Sequence, residues 1–194
     1  MKRVWIVLIL LLLLVACNKN EPTPSTPSSA NVHVKIVDLI GGLGSNQLSS
    51  DMQAQIDTIP NVDVVNVSNW NGYNKDNYTA ILTEKVKYVD SDIYIIGHSF
   101  GGDAGIQVAT KLGENGYMVK RMYVFDPVKI SSGDRLYIPG NVGDFVWYKP
   151  TRWTIFIESG DVTGGTYILL NGDHNSITHD TKTISKIVSE ISSD

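Results

Sequence analysis

The sequence predicts an α/β fold in which a mostly parallel central sheet is covered by helices on both faces. Apolar runs of strand length alternate with helix-spaced apolar positions from Val32 to Phe125, and the connections between them are short. Parallel strands need crossover connections, and crossover helices cover both faces of the sheet they join. The chain has 194 residues, 42% hydrophobic and 19% charged, enough for one domain with a sizeable core. This composition excludes wholesale disorder, a collagen-like repeat and a disulfide-stapled miniprotein. Lys and Arg number 16 against 20 Asp and Glu, a net charge of −4, so no basic excess is available to hold a phosphate backbone. That balance argues against nucleic acid as a partner.

The elements follow in order. Val32, Val34 and Ile36 alternate before a fuller apolar stretch to Ile40, a first strand that ends in the turn Gly41-Gly42-Leu43-Gly44. Leu48, Met52, Ile56 and Ile59 then trace a helix, which Pro60 stops. Val62 to Val67 reads as a second strand, followed by an Asn-rich loop from Ser68 to Asn77. Tyr78, Ile81, Leu82, Val86 and Val89 mark one face of another helix. Next come a short strand, Ile93 to Ile96, a helix over Asp103 to Leu112, and a strand over Met118 to Phe125. Asp126 to Val142 reads as loop. Phe145 to Tyr148, Trp153 to Glu158 and Thr166 to Leu170 read as three further strands, and Thr181 to Ile191 as a closing helix. There is no internal repeat.

The first residues have the composition of an address. Lys2 and Arg3 precede an apolar run of 13 residues, Val4 to Ala16. A membrane-crossing helix needs roughly 20, so the pattern reads as a signal peptide. Leu14-Val15-Ala16-Cys17 resembles the bacterial lipobox. That resemblance implies diacylglycerol on the Cys17 sulfur, cleavage just before it, and a protein lipid-anchored in the cell envelope outside the cytoplasm. Cys17 is the single cysteine, so an intrachain disulfide is impossible. Residues 17–31 carry Pro22, Pro24 and Pro27 among Ser, Thr and Asn, a tether composition. The expected organisation is a signal peptide over 1–16, a tether over 17–31 and one domain over 32–194. The acidic domain gains nothing from an anionic bilayer, so the lipid must supply the membrane attachment.

The chemistry-bearing residues fall at strand ends. Gly97-His98-Ser99-Phe100-Gly101 matches G-x-S-x-G, directly after a strand and before a helix. This is the setting of a nucleophile elbow, a strained turn that presents Ser99 at a helix N-terminus. A neutral serine needs an oriented base. His174 lies in Asn171-Gly172-Asp173-His174, after the last strand, and is the candidate. His33 sits at the wrong end of its strand, His98 points away from Ser99 to pack or orient a loop, and His179 reads as solvated or capping. The acid that fixes the tautomer of His174 is Asp126, after Tyr123-Val124-Phe125, or alternatively Asp161 in Glu158-Ser159-Gly160-Asp161. Asp144 precedes its strand and faces the opposite edge. Asp126 is the favoured acid, and either choice gives the order Ser, Asp, His. Backbone N–H groups of Phe100 and Leu43 are the expected oxyanion donors. The glycine turn lacks G-x-G-x-x-G spacing, which rejects a dinucleotide site.

On these residues the chain from Val32 to Asp194 resembles the α/β-hydrolase superfamily, specifically its small lipase- and esterase-like members. The motifs are Ile40-Gly41-Gly42-Leu43-Gly44, Gly97-His98-Ser99-Phe100-Gly101-Gly102, Phe125-Asp126-Pro127-Val128 and Asp173-His174-Asn175-Ser176-Ile177. Ile138 to Tyr148 also looks like a segment of small bacterial members whose acid sits in the D-P-V unit, which supports Asp126. Gly41 stands where many members have histidine, and there is no room for a large cap domain. The resemblance implies hydrolysis of a carboxylic ester through an acyl-enzyme, without metal or cofactor. Thioesterase or amidase chemistry, or a non-catalytic binding lipoprotein on the same scaffold, are the alternatives. Trp70, Tyr73 and Tyr78, with Tyr137, Phe145, Trp147, Tyr148 and Trp153, are aromatic groups that either close the core or line an acyl pocket.

Overall fold

Alternation along the strands builds the core. The computed structural model describes residues 32–42, 48–65, 75–88, 90–128, 136–152 and 160–194. All of them belong to the second of the two units into which the chain divides, Met1–Asn31 and Val32–Asp194. Strands β1 (Val34–Ile40), β2 (Val62–Val65), β3 (Ser91–His98), β4 (Val119–Phe125), β6 (Val142–Pro150) and β8 (Tyr167–Leu170) form one sheet in the order β2-β1-β3-β4-β6-β8. Every pairing in it is parallel. The helices are α1 (Ser50–Ile56), α2 (Lys75–Lys87), α3 (Phe100–Glu114) and α4 (Thr181–Ser193), with a short 3-10 turn at Ser176–His179.

Consecutive strand residues point to opposite faces, so each apolar run feeds two cores. Ile36, Ile40, Ile93, Ile95, Met122, Val124 and Trp147 pack with Ile81 of α2 and with Ala104, Val108 and Leu112 of α3. Val37, Leu39, Tyr94, Ile96, Tyr123, Phe125 and Tyr148 pack on the other face with Met52 and Ile56 of α1 and with Ile184, Ile187 and Ile191 of α4. A sheet buried on both sides explains why its strands read as near-continuous apolar runs.

The structure alters several expected boundaries. Helix α3 starts at Phe100, three residues before Asp103, because Gly101 and Gly102 occupy its first turn, where periodicity has no side chain to register. Strand β3 runs through His98, so the serine turn is a single residue long. Strand β6 begins at Val142, which places Asp144 inside the strand rather than before it. There the exposed Asp144 side chain accepts two hydrogen bonds from Arg121 of β4. Two short strands, β5 (Leu136–Tyr137) and β7 (Val162–Thr163), pair in parallel as a second small sheet. β5 falls in a stretch read as loop, and two residues are too few to show a period. The Ser49 hydroxyl caps α1 by accepting from the Met52 N–H at 3.3 Å. The Asp180 side chain caps α4 through the Thr183 N–H at 2.8 Å. The expected strand Trp153–Glu158, the residues 66–74 with Trp70 and Tyr73, the turn residues Leu43 and Gly44, and the whole segment 1–31 with Cys17 lie outside the described residues.

Candidate active site

A parallel sheet gathers the ends of its strands on one edge, and the loops that leave that edge carry the candidate groups. His98 and Phe125 are register partners on β3 and β4, so Ser99 and Asp126 are the next residues on two adjacent strands. His174 lies in the loop that follows β8.

Ser99 joins β3 to α3 with φ 58° and ψ −128°, a left-handed conformation that a side chain disfavours. Three hydrogen bonds hold it there. Its N–H donates to the Phe125 carbonyl at 3.0 Å, and its own carbonyl accepts from the N–H groups of Gly102 and Val128, each at 2.9 Å. Strain of this kind persists where the surroundings over-determine it. The glycines of the motif are needed for close approach. A Cβ on Gly101 would collide with the backbone carbonyls of Ile40 and Gly41, so the first turn of α3 rests directly on the end of β1. A Cβ on Gly42 would lie 2.7 Å from Ser99 Cβ and 3.1 Å from its Oγ, so the glycine turn after β1 borders the serine side chain itself. Ser99 is buried.

His174 Nδ1 lies 2.6 Å from Asp126 Oδ2, and both side chains are buried. This distance belongs to the short, charge-assisted class of hydrogen bond. Asp126 also adopts a left-handed backbone, φ 38°, and its N–H donates to the Tyr148 carbonyl of β6 at 2.8 Å. The histidine loop is tied down locally. The Asp173 N–H donates to Ser176 Oγ at 2.8 Å, and the Ser176 N–H to Asp173 Oδ1 at 3.0 Å. The Asp173 carboxyl is held below the usual carboxylate range, chiefly by its bonds from Ser176. The His98 ring reaches the same loop: Nε2 donates to the His174 carbonyl at 2.8 Å, and the two imidazoles lie 4.6 Å apart, tilted by 39°. Burial, reinforced by neighbouring His174, pushes His98 down to about 4.

The other candidates go elsewhere. Asp161 is 84% exposed and accepts from Lys149 Nζ at 2.8 Å. His33 bridges Asp90 and Asp92 at 3.0 Å each, at the start of the sheet. His179, in the 3-10 turn, lies 3.1 Å from Asp51 of α1. Phe100 is the first residue of α3. Among the described residues, no three His, Cys, Asp or Glu side chains gather as a metal site.

One buried group escaped the sequence reading. Asp38 of β1 is fully buried and accepts from Asn77 Nδ2 of α2 at 2.7 Å. Its only sequence signal is an acidic residue inside Val34–Ile40, on the face shared with Ile36 and Ile40.

The parallel sheet with helices on both faces and a serine turn between β3 and α3 defines the α/β-hydrolase fold. No protein-family model matches the sequence, and neither does any curated protein. Solved structures do match its architecture. The thioesterase domain that cyclises the lipopeptide antibiotic surfactin is similar with a TM-score of 0.55 at 11% identity, over 81% of this chain and 91% of that one. The type II thioesterase BorB of the borrelidin biosynthetic cluster gives 0.54 at 11% identity, over 81% and 91%. An extracellular α/β-hydrolase from a Paenibacillus species gives 0.53 at 12% identity, over 83% and 100%. At these identities the likeness is one of fold.

Proposed function

We propose that the protein is a serine hydrolase that cleaves a carboxylic ester through an acyl-enzyme. The observation that carries this reading is the 2.6 Å contact between buried His174 and Asp126, beside the strained turn of Ser99. Asp126 occupies Nδ1 of His174, which leaves Nε2 as the nitrogen that takes the Ser99 proton. Ser99 Oγ then adds to the ester carbonyl. Backbone N–H groups of Phe100 and Leu43 stabilise the oxyanion, and His174 returns the proton to the departing alcohol. Water, deprotonated by His174, attacks the acyl-serine and releases the carboxylic acid. No step in this scheme calls on a metal or cofactor.

Two of the solved structures it resembles are thioesterases, so acyl thioesters belong in the assay beside esters. A fluorophosphonate probe is expected to label Ser99 in the wild-type protein and not in Ser99→Ala, and short-chain nitrophenyl esters to be hydrolysed. Folded protein with no adduct and no turnover would instead make this scaffold a binding lipoprotein. For the N-terminus, the proposal is lipid attachment at Cys17 and residence in the bacterial cell envelope. Metabolic labelling with palmitate checks it: label that survives Cys17→Ser rules the attachment out.

A further inference from the structure

We propose that His98 is a positioning residue for His174, registering the base to the strand that carries the nucleophile. The inference rests on the serine-hydrolase reading above.

A carbonyl oxygen can only accept, so the 2.8 Å contact fixes neutral His98 as the tautomer with hydrogen on Nε2. That bond joins the last residue of β3 to a loop 76 residues later, and it grips the backbone of His174 while Asp126 grips its ring. Two adjacent strands therefore hold the base from two sides: β3 through its carbonyl, β4 through Nδ1. The His98 ring also supports the His174 ring from 4.6 Å away.

A second imidazole beside a base is a hazard if it competes for the proton. Here the competition is one-sided. His98 is half-buried without a carboxylate partner, and the positive field of His174 discourages its charge further. His174 has the carboxylate. The charged or titratable groups that face His98 are His174 from the loop after β8, Asp126 from the end of β4, and His179 from the 3-10 turn. The Asp126 field favours a charge on His98, but burial outweighs it. His98 therefore stays an uncharged donor near neutral pH.

The test compares His98→Leu, which keeps apolar bulk without a donor, and His98→Gln, whose amide can reach the same carbonyl. His98→Leu is expected to lower kcat roughly 10- to 100-fold with KM within about twofold, the scale of a misplaced catalytic group. His98→Gln is expected to restore most of kcat. Equal kcat in wild type and His98→Leu would overturn the proposal, as would a His98→Gln variant no better than His98→Leu. Fluorophosphonate labelling of the wild type tests the hydrolase reading separately. If that labelling fails, the low-field proton resonance of the His174–Asp126 bond still decides. Positioning predicts that it broadens or disappears in His98→Leu and persists in His98→Gln, and an unchanged resonance in both sinks the idea.

Discussion

Asn77 Nδ2 donates to Asp38 Oδ1 at 2.7 Å in the core, while Asp38 Oδ2 and Asn77 Oδ1 face no hydrogen-bond partner. Two buried acceptors without a donor are costly. A proton on the Asp38 carboxyl supplies the missing donor, and burial pushes Asp38 up to about 7. An acid and an amide can then bond reciprocally, which satisfies both side chains.

Stability should therefore fall as pH rises through this group. The unfolded chain releases the Asp38 proton near 3.8, whereas the folded chain keeps it to about 7, so the folded state binds more protons across that window. The contribution is complete below 3.8 and gone above 7. At about 1.36 kcal/mol per pKa unit, the ceiling is about 4 kcal/mol. Asp38→Asn puts a permanent NH2 where the proton sat. Urea unfolding at pH 8 is expected to show this variant more stable than wild type, with little difference at pH 4. A variant less stable at pH 8 would contradict the argument.

His98 has the opposite sign. Its folded value of about 4 lies below the ordinary 6.5, so the unfolded chain binds the extra proton between those limits. Stability from this group is complete above 6.5 and lost as pH falls towards 4. In wild type the two slopes oppose each other over pH 4 to 6.5. Removing Asp38 should expose the other one: the Asp38→Asn protein is expected to gain stability steadily from pH 4 to 6.5. The same titration on Asp38→Asn combined with His98→Gln should lose that rise.

The two candidate acids separate by substitution. Asp126→Asn removes the carboxylate that orients His174 and is expected to lower kcat by about 10⁴. Asp161→Asn touches only an exposed contact with Lys149, so kcat should stay within about twofold. Nitrophenyl ester turnover measures both. Comparable losses in the two would remove Asp126 from its role.

The features that the sequence exposed are those with a local signature. A glycine-serine motif between a strand and a helix identifies Ser99, and an aspartate directly after Phe125 identifies a strand end. Helix α3 was harder to bound, because the glycines that let it rest on Ile40 and Gly41 are the residues that hide its first turn. The partners of His98 and Asp38 lie 76 and 39 residues away, and no period or motif identifies such partners. Asp126 and Asp161 both follow apolar runs, so periodicity alone does not separate them, whereas the path of the chain brings Asp126 to His174.

The glycine packing gives a graded stability test. Gly101→Ala drives a methyl into the carbonyls of Ile40 and Gly41, and overpacking of this kind costs about 1–3 kcal/mol. Gly140 has open space around it, so Gly140→Ala should be near neutral. Thermal melts of the two variants check the contrast, which fails if they melt together.

The serine turn itself stores backbone strain. Ser99 holds φ 58° and ψ −128°, where a Cβ is strained by about 1–3 kcal/mol and glycine is not. Ser99→Ala keeps the Cβ and therefore keeps the strain. Ser99→Gly releases it, offset by the roughly 0.5–1 kcal/mol of extra chain entropy that glycine loses on folding. The balance leaves Ser99→Gly about 1 kcal/mol more stable than Ser99→Ala, a difference of about 2–4 °C in melting temperature for a domain of this size. Both lack the Ser99 hydroxyl and should be inert to fluorophosphonate, so stability separates them and reactivity does not. If Ser99→Ala melts at or above Ser99→Gly, the turn carries no strain. The three hydrogen bonds from Phe125, Gly102 and Val128 would then simply fit a relaxed backbone.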